Sequence, residues 1–361
     1  MHGMAAHEEG AFAFEGNWRE YAPIAFTNLL LTIVTLGIYR FWATTRTRRY
    51  LWSRTRFIDE RLEWAGTGKE LFLGFLLVLL VFAVPFFVIT QVAQAMFLRG
   101  QTAVGIALVV AAWLAIFYLT GLARYRALRY RLSRTRWRGI RGGSDDPGLT
   151  YGVSYMWKTF VGMAALGLMV PWSMTSLWNE RWNRLSFGPH HFEANADWGG
   201  IFKRYLLFYL SPLLLFVGGI IFAFIGGGVG SAIGSEGGAA GSMMVAAIAL
   251  VLFFYVGLGL IAVAFFAKFY RDTIGALRWD AVEFSFEAST RAWIRLLLGD
   301  IALVVLTLGI GSIFLAYRHW KFFIAHMEAR GTIALETLTQ STTRVGSHGE
   351  GLLDALDIGA I

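Results

Sequence analysis

Seven stretches of this chain are long and apolar enough to be membrane-crossing helices: 22–42, 71–98, 102–122, 154–178, 201–225, 242–267 and 294–317. About 20 apolar residues suffice to cross the hydrocarbon core of a bilayer as a helix. No other feature limits the fold as tightly, because lipid offers no partners to exposed backbone and so favours helices. Composition supports this reading: 56% hydrophobic and 16% charged residues over 361 positions leave too little charge to cover a soluble surface. The pattern predicts an all-α polytopic integral membrane protein of about seven hydrophobic helices.

The connectors say which way such a protein faces. Only a few residues around Arg99 join the second and third runs, so these form a tight helical hairpin. Gly226 to Gly241 joins the fifth and sixth runs and reads as a flexible turn. Its glycines at 226, 230, 234 and 238 also fit a small-residue stripe, should the helices extend into it. Basic, aromatic connectors fill 43–70 and 123–153. The second holds Arg124, Arg126, Arg129, Arg131, Arg134, Arg136, Arg138 and Arg141 against Asp145 and Asp146. Positive residues beside spans stay in the cytoplasm, so both connectors are expected there. The net charge of +8 then points to anionic phospholipid headgroups as the partner, not nucleic acid. The first 22 residues lack the features of a cleaved signal peptide. The chain has no cysteine, which excludes disulfides and thiolate chemistry.

The chain also resembles itself. A shift of 130 residues pairs Leu36-Gly37 with Leu166-Gly167, Trp42 with Trp172, Trp52 with Trp182 and Glu63 with Glu193. A shift of 272 pairs Phe12, Phe14 and Glu15 with Phe284, Phe286 and Glu287, and brings the two Thr-Leu-Gly-Ile copies, 35–38 and 307–310, together. A shorter echo relates Ser53-Arg54-Thr55-Arg56 to Ser133-Arg134-Thr135-Arg136. The implied organisation is a first membrane repeat at 1–150 and a second at 151–283, each a lone helix plus a hairpin. A partial third repeat, a single helix, follows at 284–330, and a polar tail at 331–361. Phe12-Ala13-Phe14 and Phe284-Ser285-Phe286 alternate as short strands do.

The residues that carry this pattern resemble the YjgN family. They are the early Phe-x-Phe, the stretch Asn28 to Trp42 with its Thr-Leu-Gly-Ile-Tyr, Arg46 to Tyr50, and Gly349 to Asp357. The second repeat departs from it, with Met169-Val170-Pro171-Trp172 and Ser176 to Glu180 in the corresponding places. The resemblance implies a multi-pass protein of a bacterial inner membrane and carries over no catalytic residue or substrate.

Asn28, Lys158 and Asp300 fall at one register of the repeat. An ionised group at a span centre costs roughly 2.5–3.5 kcal/mol on insertion scales, so a partner or a function is expected. One expectation is that the three meet, Lys158 neutralising Asp300 and Asn28 bonding both. The other is that Lys158 snorkels to the headgroups and Asp300 is satisfied separately. Candidate contacts to anionic lipid or a partner are Arg46, Arg49, Arg54, Arg56, Arg126, Arg129, Arg134 and Arg136, with a solvated flank as the plainer alternative. His190-His191 lacks spaced metal-ligand partners. Gly66-Thr-Gly-Lys-Glu70 lacks the first glycine and the final Ser/Thr of a phosphate loop. No catalytic motif, metal site or cofactor is therefore expected.

Two readings of function follow. If all seven runs cross, successive repeats are inverted, as in carriers with polar residues at the midplane. A transport-type or lipid-handling role then applies. If the lone runs are re-entrant, every connector shares the cytoplasmic face and forms an arginine- and aromatic-rich scaffold.

Overall fold

The computed structural model describes residues 10–232, 239–333, 336 and 338–343, without the side chains of 222–246. Strands occupy the connectors, so the fold is not all-α. They are β1 (Phe12–Phe14), β2 (Thr55–Phe57), β3 (Glu60–Arg61), β4 (Glu63–Trp64), β5 (Thr135–Trp137), β6 (Ile140–Gly143), β7 (Ser186–Phe187), β8 (His190–Ala194), β9 (Leu277–Trp279), β10 (Val282–Phe286) and β11 (Met327–Arg330). They pair antiparallel in chain order, β1 to β3 and β4 to β11. The Leu62 amide donates to Thr55 O at 2.8 Å and carries the pairing from β3 towards β4. The meander bends round until β1 lies against β11.

These segments are short, but aromatic and β-branched residues fill them, which suits a half-buried pleated surface. Their tight turns need left-handed backbone, found at Ile58 (φ 58°), Arg138 (53°), Gly139 (73°), Gly188 (58°) and Asp280 (53°). The buried face is aromatic. Phe57 packs edge-on to Trp137 at 5.0 Å, Trp137 to Trp279 at 6.4 Å and Phe187 to Trp279 at 5.6 Å. Each indole N–H bonds to the carbonyl of an earlier connector: Trp137 Nε1 to Phe57 O at 2.9 Å, Trp279 Nε1 to Phe187 O at 3.1 Å. Burying the ring while satisfying its polar atom is what lets tryptophan serve here. On the exposed face, acids meet arginines across strands, as in Glu15–Arg61 at 2.6 Å and Arg278–Glu283 at 2.7 Å.

Between the strands hang helical hairpins. Three of the seven apolar runs are not single helices, which corrects the expected count. The first breaks into α1 (Trp18–Val34) and α2 (Arg40–Ser53). The uncut helices of the next hairpin are α3 (Gly68–Val78) with α4 (Val84–Leu98), then α5 (Thr102–Arg134). A π-helical turn at Leu79–Ala83 joins α3 to α4 just ahead of Pro85, whose missing N–H interrupts the helical ladder. The fourth run splits into α6 (Leu149–Ala164) and α7 (Val170–Trp182). Next come α8 (Gly199–Ala232) and α9 (Ala239–Gly275), so helix takes up most of the glycine-rich connector expected as a turn. The last run splits into α10 (Thr290–Leu306) and α11 (Leu315–His326) through a 3₁₀ turn at Ile310–Phe314. Among the described residues, four helices are long and apolar enough to cross a membrane: Gly68–Leu98, Thr102–Arg134, Gly199–Ile221 and Ala247–Gly275.

The breaks have a local cause. Leu36 and Gly37 adopt φ of 51° and 92°, Leu166 and Gly167 52° and 84°, Leu308 and Gly309 51° and 92°. Left-handed backbone ends a helix, and glycine accepts it without strain. In two copies a threonine braces the reversal. Thr35 Oγ1 donates to Leu31 O at 2.7 Å and accepts from the Tyr39 amide at 2.9 Å. Thr307 Oγ1 donates to Leu303 O and accepts from the Gly311 amide, both at 2.6 Å. The middle copy has Ala165 instead, and there the Tyr205 hydroxyl reaches in to Gly167 O at 2.7 Å. The leucines at these tips point away from the protein, 94%, 79% and 94% exposed at 36, 166 and 308.

Consecutive hairpins pack side by side, α2 on α3, α5 on α6, α7 on α8 and α9 on α10. The last closes on the first through Tyr21 and Tyr317, stacked at 5.4 Å. The α5–α6 approach depends on glycine: a Cβ at Gly121 would lie 2.3 Å from Tyr155 Cβ. Removing the aromatic plug should unfold the sheet that roots these hairpins. Trp137→Ala is expected to destabilise the protein by roughly 3–5 kcal/mol, against about 0.5 for Arg278→Ala. Denaturant unfolding in detergent micelles measures both, and equal small effects would remove the plug from the argument.

Candidate functional site

The three polar positions singled out from the repeat register do not join one another by any hydrogen bond or ion pair among the described residues. Each instead ties the two arms of its own hairpin. Asn28, buried on α1, donates from Nδ2 to Ala43 O at 3.3 Å and Thr47 Oγ1 at 3.4 Å, both on α2. Lys158 on α6 pairs with Glu180 on α7 at 2.6 Å. Asp300 on α10 takes Arg318 Nε on Oδ1 and His319 Nε2 on Oδ2, each at 2.6 Å, from α11. Gly299 leaves room for that guanidinium, since a Cβ there would sit 2.5 Å from Arg318 Nη2. Of the two expectations, a Lys158–Asp300 contact does not occur among the described residues, and each group is satisfied separately. Antiparallel arms bring the partner nearer than any neighbouring hairpin does.

The arginine rows divide into braces and unspent cations. Arg54 pairs with Glu20 at 2.9 Å, and Arg56 donates to Ile58 O at 2.6 Å. Arg129 donates to Asp146 O at 2.6 Å and Arg126 to Pro147 O at 3.1 Å. Arg134 grips Glu70 in a fork, Nε to Oε2 at 3.1 Å and Nη2 to Oε1 at 3.0 Å, with the Tyr130 hydroxyl on the same Oε2 at 2.9 Å. Bidentate carboxylate pairs of this kind fix orientation. Glu70 also closes a capping box with Thr67 at the start of α3, which is the structural meaning of the Gly-Thr-Gly-Lys-Glu stretch. Arg46, Arg49 and Arg136 are exposed and hold no partner among the described residues, so these three remain available to an external anion. His190 and His191 lie on β8, and His190 Nδ1 is 3.6 Å from Asp280. Tail residues fold back on β6: Gln340 Oε1 accepts from the Arg141 amide at 3.1 Å. Gly349 to Asp357 lies outside the described residues.

Register and charge runs did not single out Arg181. It sits on α7 only 7% exposed, its Cζ 5.3 Å from the Trp178 ring, with no hydrogen bond to its buried Nε. Burial pulls its pKa below the ordinary guanidinium value. Tyr151 and Tyr270 oppose that fall, while Arg124 and Arg131 add to it. Arg184 shows the contrast. Burial depresses it too, but a hydrogen bond to Asp146 and the charges of Glu180 and Asp146 raise it overall. The sequence signal available for Arg181 was its pairing at offset 130 with a position inside the first arginine-rich connector, Leu51, where no charge stands.

A curved sheet rooted on helical hairpins, four of whose helices could cross a bilayer, defines a helical membrane protein with one strand-built polar face. The chain belongs to the family described as bacterial protein of unknown function (DUF898), which matches residues 9–355. It is similar to the inner membrane protein YjgN of Escherichia coli O157:H7, 24% identical over 248 residues, which are 59% of each chain. To YjgN of Escherichia coli strain K12 it is 26% identical over 243 residues, again 59% of each. To YjgN of Salmonella typhimurium it is 28% identical over 130 residues, 36% of this chain and 30% of that one. The match thus spans about three-fifths of the length of the Escherichia coli relatives. The YjgN family membership read from the sequence holds. No solved structure matches the chain.

Because each polar tie is local, Lys158→Met and Asp300→Asn should destabilise additively, to within about 0.5 kcal/mol. Asp300→Asn combined with Arg318→Met should depart from additivity by roughly 0.5–3 kcal/mol. A double-mutant cycle on unfolding in micelles gives both couplings, and a large Lys158–Asp300 term would restore the shared cluster.

Proposed function

We propose that the protein is a lipid-engaging platform on the cytoplasmic face of a bacterial inner membrane. Two spanning hairpins, α3–α5 and α8–α9, anchor it, and three half-inserted hairpins penetrate one leaflet. The observation that carries this reading is the left-handed Leu–Gly reversal in each broken run. With 17, 16 and 17 residues, α1, α6 and α10 rise about 25 Å, short of the hydrocarbon thickness, and expose leucine at the tip. Every hairpin then starts and ends on the sheet, and the sheet side carries the arginine rows. Excess Lys/Arg favours the cytoplasm, where anionic lipid lies. Arg46, Arg49 and Arg136 are the exposed cations suited to those headgroups. The inner-membrane names of the relatives agree with this location.

The repeat organisation, with units at 1–150, 151–283 and 284–330, belongs to the same reading. It is supported by left-handed residues at the predicted offsets: Leu36, Leu166 and Leu308 at the tips, Ile58 and Gly188 in the strand turns. A carrier with inverted repeats would need three further crossings and a shared polar centre, and the described residues favour neither.

Single cysteines separate the two arrangements, because the native chain has none. Glu60→Cys, His191→Cys and Arg278→Cys, all exposed on the sheet, should resist a membrane-impermeant maleimide in intact cells and label once the cells are opened. Gln101→Cys, between α4 and α5, should label from outside. Labelling of His191→Cys from outside would instead mean inverted repeats and return the carrier reading.

A further inference from the structure

The region where α5, α6, α7 and α9 come together beneath the sheet contains hydrogen-bond donors with no acceptor among the described residues. Arg181 is the centre of it. Its guanidinium lies against the Trp178 ring at 5.3 Å and makes no hydrogen bond or ion pair among the described residues. Arg124 of α5 is held the same way, its Cζ 5.3 Å from the Tyr155 ring of α6 and its buried Nε without an acceptor. Trp178 Nε1 is buried and unsatisfied as well. Two arginines, Arg124 and Arg131, act on Arg181 as like charges. The acids on or beside these elements are already committed, Asp272 of α9 to Lys268 at 2.6 Å among them. Glu180 gives Oε2 to Lys158 and Oε1 to Arg184, each at 2.6 Å, and Asp146 is taken by Arg184.

A buried guanidinium without a counter-ion is among the least favourable arrangements a folded chain can hold, because removal from water is uncompensated. Other arginines on the helical hairpins have an acid: Arg134 has Glu70, and Arg318 has Asp300. The aromatic faces fix the orientation of Arg124 and Arg181 while leaving their N–H groups unspent. That is preorganisation for an acceptor with several oxygens, and a guanidinium fork matches phosphate. Depth agrees. Arg124 lies 22 residues past the start of α5 at Thr102, about 33 Å along the helix, just beyond a hydrocarbon core of about 30 Å. That is the level of the lipid phosphates. The hydroxyls of Tyr155 and Tyr270 make no hydrogen bond among the described residues, so the tyrosines add neutral donors beside the charged ones.

We propose that Arg124 and Arg181, with the donors around them, form an internal binding site for a phosphate-bearing anion, either a phospholipid headgroup or free phosphate. The site deepens the membrane-surface reading but stands apart from the exposed arginines Arg46, Arg49 and Arg136, and it does not depend on which way the repeats face.

The test uses the full-length protein in a neutral detergent, delipidated, with thermal unfolding as readout. Inorganic phosphate and phosphatidylglycerol are added in separate arms, with phosphatidylcholine in a third. At about a hundred times its dissociation constant, a ligand of the native state should raise Tm by roughly 3–4 °C in a chain of this size. A rise with phosphatidylglycerol alone assigns a headgroup selected for net negative charge. A rise with both phospholipids assigns the phosphodiester. A rise with inorganic phosphate assigns the free anion.

Arg181→Met should abolish the rise and also raise Tm of the anion-free protein, because it removes an unneutralised buried charge. A purely structural arginine would lower both. Should Arg181→Met fail to fold, Arg124→Gln, at a less buried position, should weaken binding at least tenfold, while Arg330→Gln on the exposed sheet leaves it unchanged. No rise in any arm for the unaltered protein, or equal rises in the unaltered protein and Arg124→Gln, would overturn the site.

Discussion

Backbone pairing between consecutive connectors is the constraint from which the rest of the architecture follows. A helical hairpin that leaves a membrane surface must hand its chain on with every amide and carbonyl still satisfied. Here each emerging segment pairs with the one before it, from β1 through to β11. That pairing obliges every hairpin to return to the face it left. An apolar run that crossed once and stayed across would strand the next connector on the far side, without a neighbour to pair with. The three runs that break at Leu–Gly are the ones that would otherwise do so.

The same geometry explains how the buried polar groups are handled. Folding an apolar run back on itself places two antiparallel arms within side-chain reach, and each broken run uses this for polar ties between its arms. Asn28 reaches α2, Lys158 reaches Glu180, and Asp300 reaches Arg318 and His319. Charge is thereby neutralised inside the hairpin that introduces it. Where all the acids are used in this way, as at Glu180 and Asp146, a neighbouring arginine is left over. Arg181 is that residue, and its position among Arg124, Trp178 and the tyrosines makes it the place to look for a ligand and not for a fold contact.

Aromatic residues connect the two layers. Phe57, Trp137, Phe187 and Trp279 occupy comparable places in successive strand pairs and interlock on the buried face. Trp52 and Trp320, stacked at 4.0 Å, belong to a second cluster where the helices meet the sheet. Their indole N–H groups bond to Thr135 and Thr55, so α2 and α11 are both tied to the sheet they lead into. Sheet and hairpins therefore share two buried clusters, one around Trp137 and Trp279 and one around Trp52 and Trp64, with Leu62 packed against both.

Hydropathy, arginine runs and internal offsets were enough to read a membrane protein, its hairpin at 71–122 and the recurrence of Leu–Gly, while the YjgN family came from the resemblance of a few motifs. Those properties are local or periodic and survive without coordinates. The short Phe12–Phe14 alternation was visible too, but not its consequence. A strand of two to five residues has no meaning until its partner is known, and partners here lie one whole hairpin away in sequence. Hydropathy likewise cannot tell a helix that crosses from two half-helices that turn back, since both present the same apolar run; the left-handed backbone at Leu36 makes that difference. Which acid neutralises Lys158, and which arginine is left without one, depended on distances across hairpins. Those were decided only by the tertiary structure, because electrostatic pairing follows proximity in space and not register in sequence.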